Sequence, residues 1–234
     1  MQFKTLALVT AMVVSAPAWA QGTQEDLQEA QRLLQAGEYA ESLEAHQTFF
    51  EQSKRVDSMT GVRLSFALSS WAELGKVYPP AQAALQSLAD GLKQQLWNGE
   101  GDFDVMADYS SINTYLGESQ ATVKVFRHVA QEYPEQADRQ FIAVRDELFA
   151  AQEYELIARF LDDPVFAFEQ ARNDRERDLS YVRTGHRYQP DIFSTNQKYS
   201  QKIHELLQMT ESLGMTEAYS EIQKRHKAYM ALQN

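Results

Sequence analysis

Residues 34–50 read LQAGEYAESLEAHQTFF. An apolar helix end runs into Gly37, and a second amphipathic pattern opens at Tyr39, two residues on. Glycine ends helices well because it takes the left-handed conformation without steric cost. Upstream, Leu27, Ala30, Leu33 and Leu34 recur on one helical face; downstream, Leu43, His46, Phe49 and Phe50 do the same. The stretch therefore predicts an antiparallel helical hairpin. One hairpin cannot bury both of its apolar stripes, so it needs neighbours of the same kind.

The same turn recurs along the chain. LLQAGEYAESL is followed by WAELGKVYPPAQAAL, YLGESQATVKVF, LFAAQEYELIARFL and SLGMTEAYSEI. Gly37, Gly75, Gly117 and Gly214 mark the break, with Gln152 in that place in the fourth copy. Alternating β-branched runs bounded by hairpin turns are missing from the sequence, so the expected fold class is all-α. Helices are expected near 24–35, 39–52, 60–74, 80–96, 103–115, 119–132, 135–150 and 153–162. Another starts at Pro164 after the Asp163 cap, and two more occupy about 197–212 and 216–231.

These segments resemble tetratricopeptide repeats over roughly residues 23–170. The third copy carries Met106, Tyr109, Ser110 and Asn113, then Gly117, Thr122, Phe126 and Pro134. The second offers Leu64, Ala67, Leu68, Trp71, Gly75 and Ala84, with Pro80 at a usual small position. The first has Ala30, Leu33, Gly37 and Tyr39, with Ser42 and His46 where a small residue and an aromatic are usual. The resemblance implies hairpins stacked as a right-handed array; a compact helical bundle is the alternative. It also implies a concave face lined by first-helix residues: Gln31 and Gln35, Ser69 and Glu73, Ser111 and Tyr115, Asp146 and Phe149.

The chain opens MQFKTLALVTAMVVSAPAWAQG, with Lys4, a short apolar run from Leu6 to Val14, and Ala18 and Ala20 spaced as a cleavage site. That layout predicts a bacterial secretory signal peptide over 1–20, cleaved after Ala20, and a periplasmic or secreted product. The apolar run is too short to remain as a spanning anchor, so no stable membrane insertion is expected after cleavage. The remaining divisions are expected at 21–171 for the hairpins, 172–196 for an irregular segment, and 197–234 for a C-terminal hairpin.

Composition narrows the chemistry. The 234 residues contain no Cys, which removes disulfides, thiolate zinc sites and thiol redox chemistry. Net charge is −11, and it is uneven: 11 Lys/Arg face 25 Asp/Glu between Gln21 and Ala171, against 10 and 8 from Arg172 onward. An acidic body disfavours nucleic acid, whose phosphates need Lys and Arg. The segment RNDRERDLSYVRTGHRYQPDIFSTN interleaves five Arg with aromatics and carries Gly185 and Pro190. It offers Arg183, His186, Arg187 and Tyr188 as a secondary surface.

Catalytic patterns fall short. His204-Glu205-Leu206-Leu207-Gln208 lacks the second imidazole of a zinc helix. Glu118-Ser119 is similar to the catalytic pair of exported lytic transglycosylases but lacks their downstream Gly-Leu-Met-Gln stretch. The turn NGEGDFDVMAD gathers Glu100, Asp102, Asp104 and Asp108, oxygen donors of the kind calcium takes, without the spacing of an EF-hand. Asp102 or Asp104 capping the following helix accounts for part of that cluster. The expectation is a non-catalytic exported module that binds a protein or peptide, with no cofactor and no metal. The alternative is an all-α periplasmic hydrolase or lytic enzyme acting on cell wall or peptide through Glu118.

Overall fold

The computed structural model describes residues 23–186 and 189–232, and these are helical with no strand among them. The expected signal peptide, Arg187 and Tyr188 lie outside the described residues. No helix among the described residues is long and apolar enough to cross a membrane. The described residues divide into two compact units: those up to 91 with 111–117, and those of 92–110 with 118 onward.

The first unit begins with α1 (Gln24–Ala36) and α2 (Tyr39–Ser53), the hairpin around Gly37. Gly37 has φ +79°, the left-handed geometry that ends α1. Ala30, Leu33 and Ala45 close the hairpin, and the buried Ser42 hydroxyl donates to the Ala30 carbonyl at 2.8 Å. Next come α3 (Thr60–Val62), a π-helical stretch Arg63–Ala67, and α4 (Leu68–Val77). Leu27, Phe49 and Ala67 form a second buried cluster with Val62 against it. Trp71 Nε1–H donates to the Ala81 carbonyl at 3.0 Å, fixing α4 to the first turn of α5 (Pro79–Trp97). Gly75 lies inside α4 and does not end it; a Cβ there would stand 3.2 Å from Gln82 Cβ, so its smallness serves close approach to α5.

The second unit takes the end of α5 and the start of α6 (Phe103–Leu116), then α7 (Ser119–Glu132), α8 (Pro134–Gln140), α9 (Arg145–Ala150) and α10 (Tyr154–Ile157). The single helix expected over 135–150 is two: a 3-10 turn at Phe141–Ala143 separates α8 from α9. The helix expected over 153–162 is the shorter α10. Gln152 has φ +58°, so the fourth turn has left-handed geometry on a non-glycine residue. Three longer helices follow: α11 (Pro164–Thr184), α12 (Ile192–Ser212) and α13 (Thr216–Ala231).

The segment expected to be irregular from 172 is helical to Thr184. Its charges pair along one helix, Arg172 with Glu169 and Arg177 with Asp174, both at 2.8 Å. Pairs three apart are helix neighbours, so the alternation of Arg with Asp and Glu belongs to a solvated helix that runs on to Thr184. Gly185, with φ +66°, ends α11, and Asp191 caps α12 by accepting from Ser194 N–H at 2.7 Å. α12 thus starts at Ile192, five residues before the expected 197.

Candidate functional site

The residues expected to line a receptive face divide by unit. In the first unit Gln31, Ser69, Ser111 and Tyr115 are half-buried, and Gln35 and Glu73 are exposed. The packing positions behind them are closed: Ala30, Leu33, Ala67, Leu68, Trp71 and Ile112 are all buried. Tyr115 also borders a cleft of about 200 Å³ with Gly75, Lys76, Gln82 and Leu85. Glu73 pairs with Lys76 at 2.5 Å on an exposed helix face. In the second unit Asp146 is exposed, 3.4 Å from Arg145. Phe149 is only 6% exposed and belongs to the core, because α9 turns its ring inward beside Leu148.

Of the secondary surface, Arg183 and His186 are among the described residues. Arg183 is exposed and reaches Glu176 at 3.5 Å, while His186 stacks on Tyr181 with ring centres 4.6 Å apart. The more deeply placed Arg175, 8% exposed, sits between the Tyr199 and Tyr229 rings. It donates to Asn196 Oδ1 at 2.8 Å and to the Tyr229 hydroxyl, which in turn donates to Glu176. That hydrogen bond, with Arg183 and Arg175 nearby, holds the Glu176 carboxyl below its ordinary range. Burial raises both Tyr199 and Tyr229. The network clamps α11, α12 and α13 together.

A polar pair in the first unit has the reach of a base and a hydroxyl. His46 Nε2 lies 3.2 Å from Ser70 Oγ, and its ring stacks on Trp71. Burial lowers His46 from 6.5 to about 4, and its Nδ1 is enclosed with no partner. A catalytic dyad requires a third group that orients the base; no carboxylate accepts from Nδ1, and a packing role accounts for this pair.

The most elaborately built loop is the acidic turn. Trp97 ends α5 and stacks flat on His128 of α7, ring centres 3.7 Å apart, with Tyr133 edge-on to the same imidazole. His128 Nε2 is 3.0 Å from the Trp97 carbonyl. Gly99, at φ +74°, lies so close to Tyr133 that a Cβ would meet the ring at 2.6 Å. From α8, Gln136 Nε2 donates to the Gly99 carbonyl at 2.6 Å. Gln140 Nε2 donates to the Gly101 carbonyl at 2.8 Å and the Asp102 carbonyl at 3.3 Å. Asp102 Oδ1 accepts from Val105 N–H at 3.0 Å, the expected cap of α6.

Between this loop and α8 lies a cleft of about 240 Å³, walled by Glu100, Gly101, Asp102, Phe103, Gln136, Arg139 and Gln140. Because each amide nitrogen faces a carbonyl oxygen, the amide orientation is fixed, and Oε1 of each Gln is an enclosed acceptor with no donor. Among the described residues no three His, Asp or Glu side chains converge as a metal cluster. The sequence marked the acidic side of this cleft but not the glutamines. Their only trace is the four-residue spacing of Gln136 and Gln140 behind Pro134, which puts both amides on one helical face.

Glu118 is exposed at the start of α7, and His204 is exposed on α12. Compared with protein-family models, with curated proteins and with solved structures, the chain matches none of them.

Proposed function

We propose that the protein is a non-catalytic binding or assembly module of the bacterial envelope, exported by its N-terminal segment, and that it receives a protein or peptide on a tetratricopeptide-like concave face. The observation that carries this reading is the sorting of residues in the first unit. Ala30, Leu33, Ala67, Leu68 and Trp71 of the repeat pattern there are buried, with Leu64 half-buried and Tyr39 exposed, while Gln31, Gln35, Ser69, Glu73, Ser111 and Tyr115 keep accessible surface. Polar side chains held on rigid helices are suited to an extended segment, whose backbone offers donors and acceptors in register. The carboxylate of Glu73 and the acidic body favour a neutral or basic partner.

Affinity capture from envelope extract, with the full chain as bait, tests the proposal. The expected result is one partner recovered in fixed ratio, and its loss when Gln35, Glu73 and Tyr115 are replaced by Ala. Recovery of no partner, together with turnover of peptidoglycan that Glu118→Gln abolishes, would overturn it in favour of a lytic enzyme.

A further inference from the structure

The π-helical stretch between α3 and α4 sorts its side chains against burial. Arg63 is 2% exposed there, its guanidinium 5.8 Å from the centre of the Phe50 ring, while Phe66 is 69% exposed. Solvation alone favours the reverse, with arginine outside and phenylalanine inside. A π-turn fits one extra residue into a helix at the expense of regular bonding, and such turns are frequent at functional sites. An aromatic ring held in water also forgoes the burial that Ala67 and Leu68 beside it obtain. Local rules broken together in one turn point to a contact made outside the chain.

Phe66 does not stand alone. Ser69, Ser70, Glu73 and Val77 follow it at steps of three and four, which places them on the same side of the helix. Glu73 and Val77 are exposed and the two serines half-buried, so this side reads apolar, polar, acidic, apolar. Glu73 is held by Lys76 at 2.5 Å, an exposed pair of a kind worth little in water, and a partner's cation can displace it. Residues 23–91 carry 10 Asp/Glu against 5 Lys/Arg, so the surrounding field favours a cation as well. Seven residues of helix separate Phe66 from Glu73 by about 10 Å, a span that extended chain covers in about three residues. Given the protein-binding role proposed above, on which this rests, we infer that Phe66 is the aromatic anchor of a docking face along α4. Its occupant is an extended segment of another protein with an apolar residue and a Lys or Arg about three positions apart. The apolar side chain lies on Phe66 and the cation on Glu73.

The test is selection of displayed short random peptides on the immobilised full chain, with the affinities of the enriched peptides then measured in solution. The expected result is enrichment of an apolar residue with a Lys or Arg about three positions away. Phe66→Ser should weaken the selected peptides at least about tenfold, the loss expected of a central aromatic contact, with the urea midpoint unchanged. Glu73→Lys should turn the preference at the charged position to Asp or Glu. Peptides that bind Phe66→Ser as tightly as the parent, but are lost when Gln35 and Tyr115 are replaced by Ala, would overturn the inference and leave the protein-binding role standing. Enrichment of no peptide by the parent would overturn it, with capture from envelope extract left to decide the wider role. Self-association of the parent that Phe66→Ser abolishes would overturn it in favour of a second copy as occupant. A lowered urea midpoint in Phe66→Ser would mean that the ring serves the chain's own packing, and would overturn it equally.

Discussion

Gln140 Nε2 donates to the Gly101 carbonyl at 2.8 Å, joining the end of α8 to a loop 39 positions earlier. The bond, with its companion to Asp102, makes an otherwise open acidic turn into the wall of a cleft. Replacing Gln140 by Leu keeps the volume and removes both bonds. The expected cost is about 1–3 kcal/mol, read as a lower urea midpoint. Unchanged stability would mean that the loop holds its shape without α8.

Gly99→Ala asks the same loop a different question. The new Cβ would meet the Tyr133 ring at 2.6 Å on a backbone with φ +74°. Both effects oppose folding, and a loss of about 2 kcal/mol or more is expected. Adding Tyr133→Ala should recover the steric part and not the backbone part. Strictly additive losses in the double variant would refute the contact.

Acid should weaken the first unit through His46. Burial lowers its pKa to about 4, against 6.5 for the exposed ring. Above pH 6.5 the ring is neutral whether the chain is folded or not, and it contributes nothing to the pH dependence. Between pH 6.5 and 4 the unfolded chain binds the proton and the folded chain does not, so stability falls with pH, by about 3 kcal/mol in all. Urea midpoints of the parent and of His46→Phe, measured at pH 7, 5 and 4, check this. The variant should lose the His46 part of the decline; equal declines in both would refute the assignment.

The Tyr229 hydroxyl joins Arg175 to Glu176. Tyr229→Phe keeps the ring against Arg175 and removes the hydroxyl, at an expected cost of about 1.5–3 kcal/mol because the hydrogen-bonded partners are charged. The Glu176 carboxyl should also titrate at higher pH, since the Tyr229 hydrogen bond is the largest influence lowering it. A carboxyl titration by NMR that is unmoved in the variant would contradict this account.

Local periodicity carried far in this chain because helix formation and helix ends are local events. Gly37 ends α1 with left-handed geometry, and Gln152 takes φ +58° at the turn where the alignment of copies put it in place of glycine. The apolar spacing of Leu27, Ala30 and Leu33 reads directly as the closed face of α1. Gly75 is the counterexample: the same residue lies within α4 and is there for close approach, a requirement set by Gln82 on the next helix. The run from Arg172 to Thr184 misleads for a related reason. Arg and Glu favour a helix while Asn173, Asp174, Asp178 and Thr184 do not, and Arg175 gains its place only between Tyr199 and Tyr229.

By itself, then, the sequence determined an all-α chain, most of its helix ends, and its lack of thiol chemistry. Each of these follows from residue type or from contacts within a few positions. Tertiary structure decided what lies between helices: the division into two units, the burial of His46 and Arg175, and the seating of Gly99 on Tyr133. It also decided that two glutamines would commit their nitrogens to one loop and leave their oxygens without donors. The physical reason is range. A helix is specified by bonds four residues apart, while an amide 39 residues from its carbonyl finds it only when packing has already brought the two helices together.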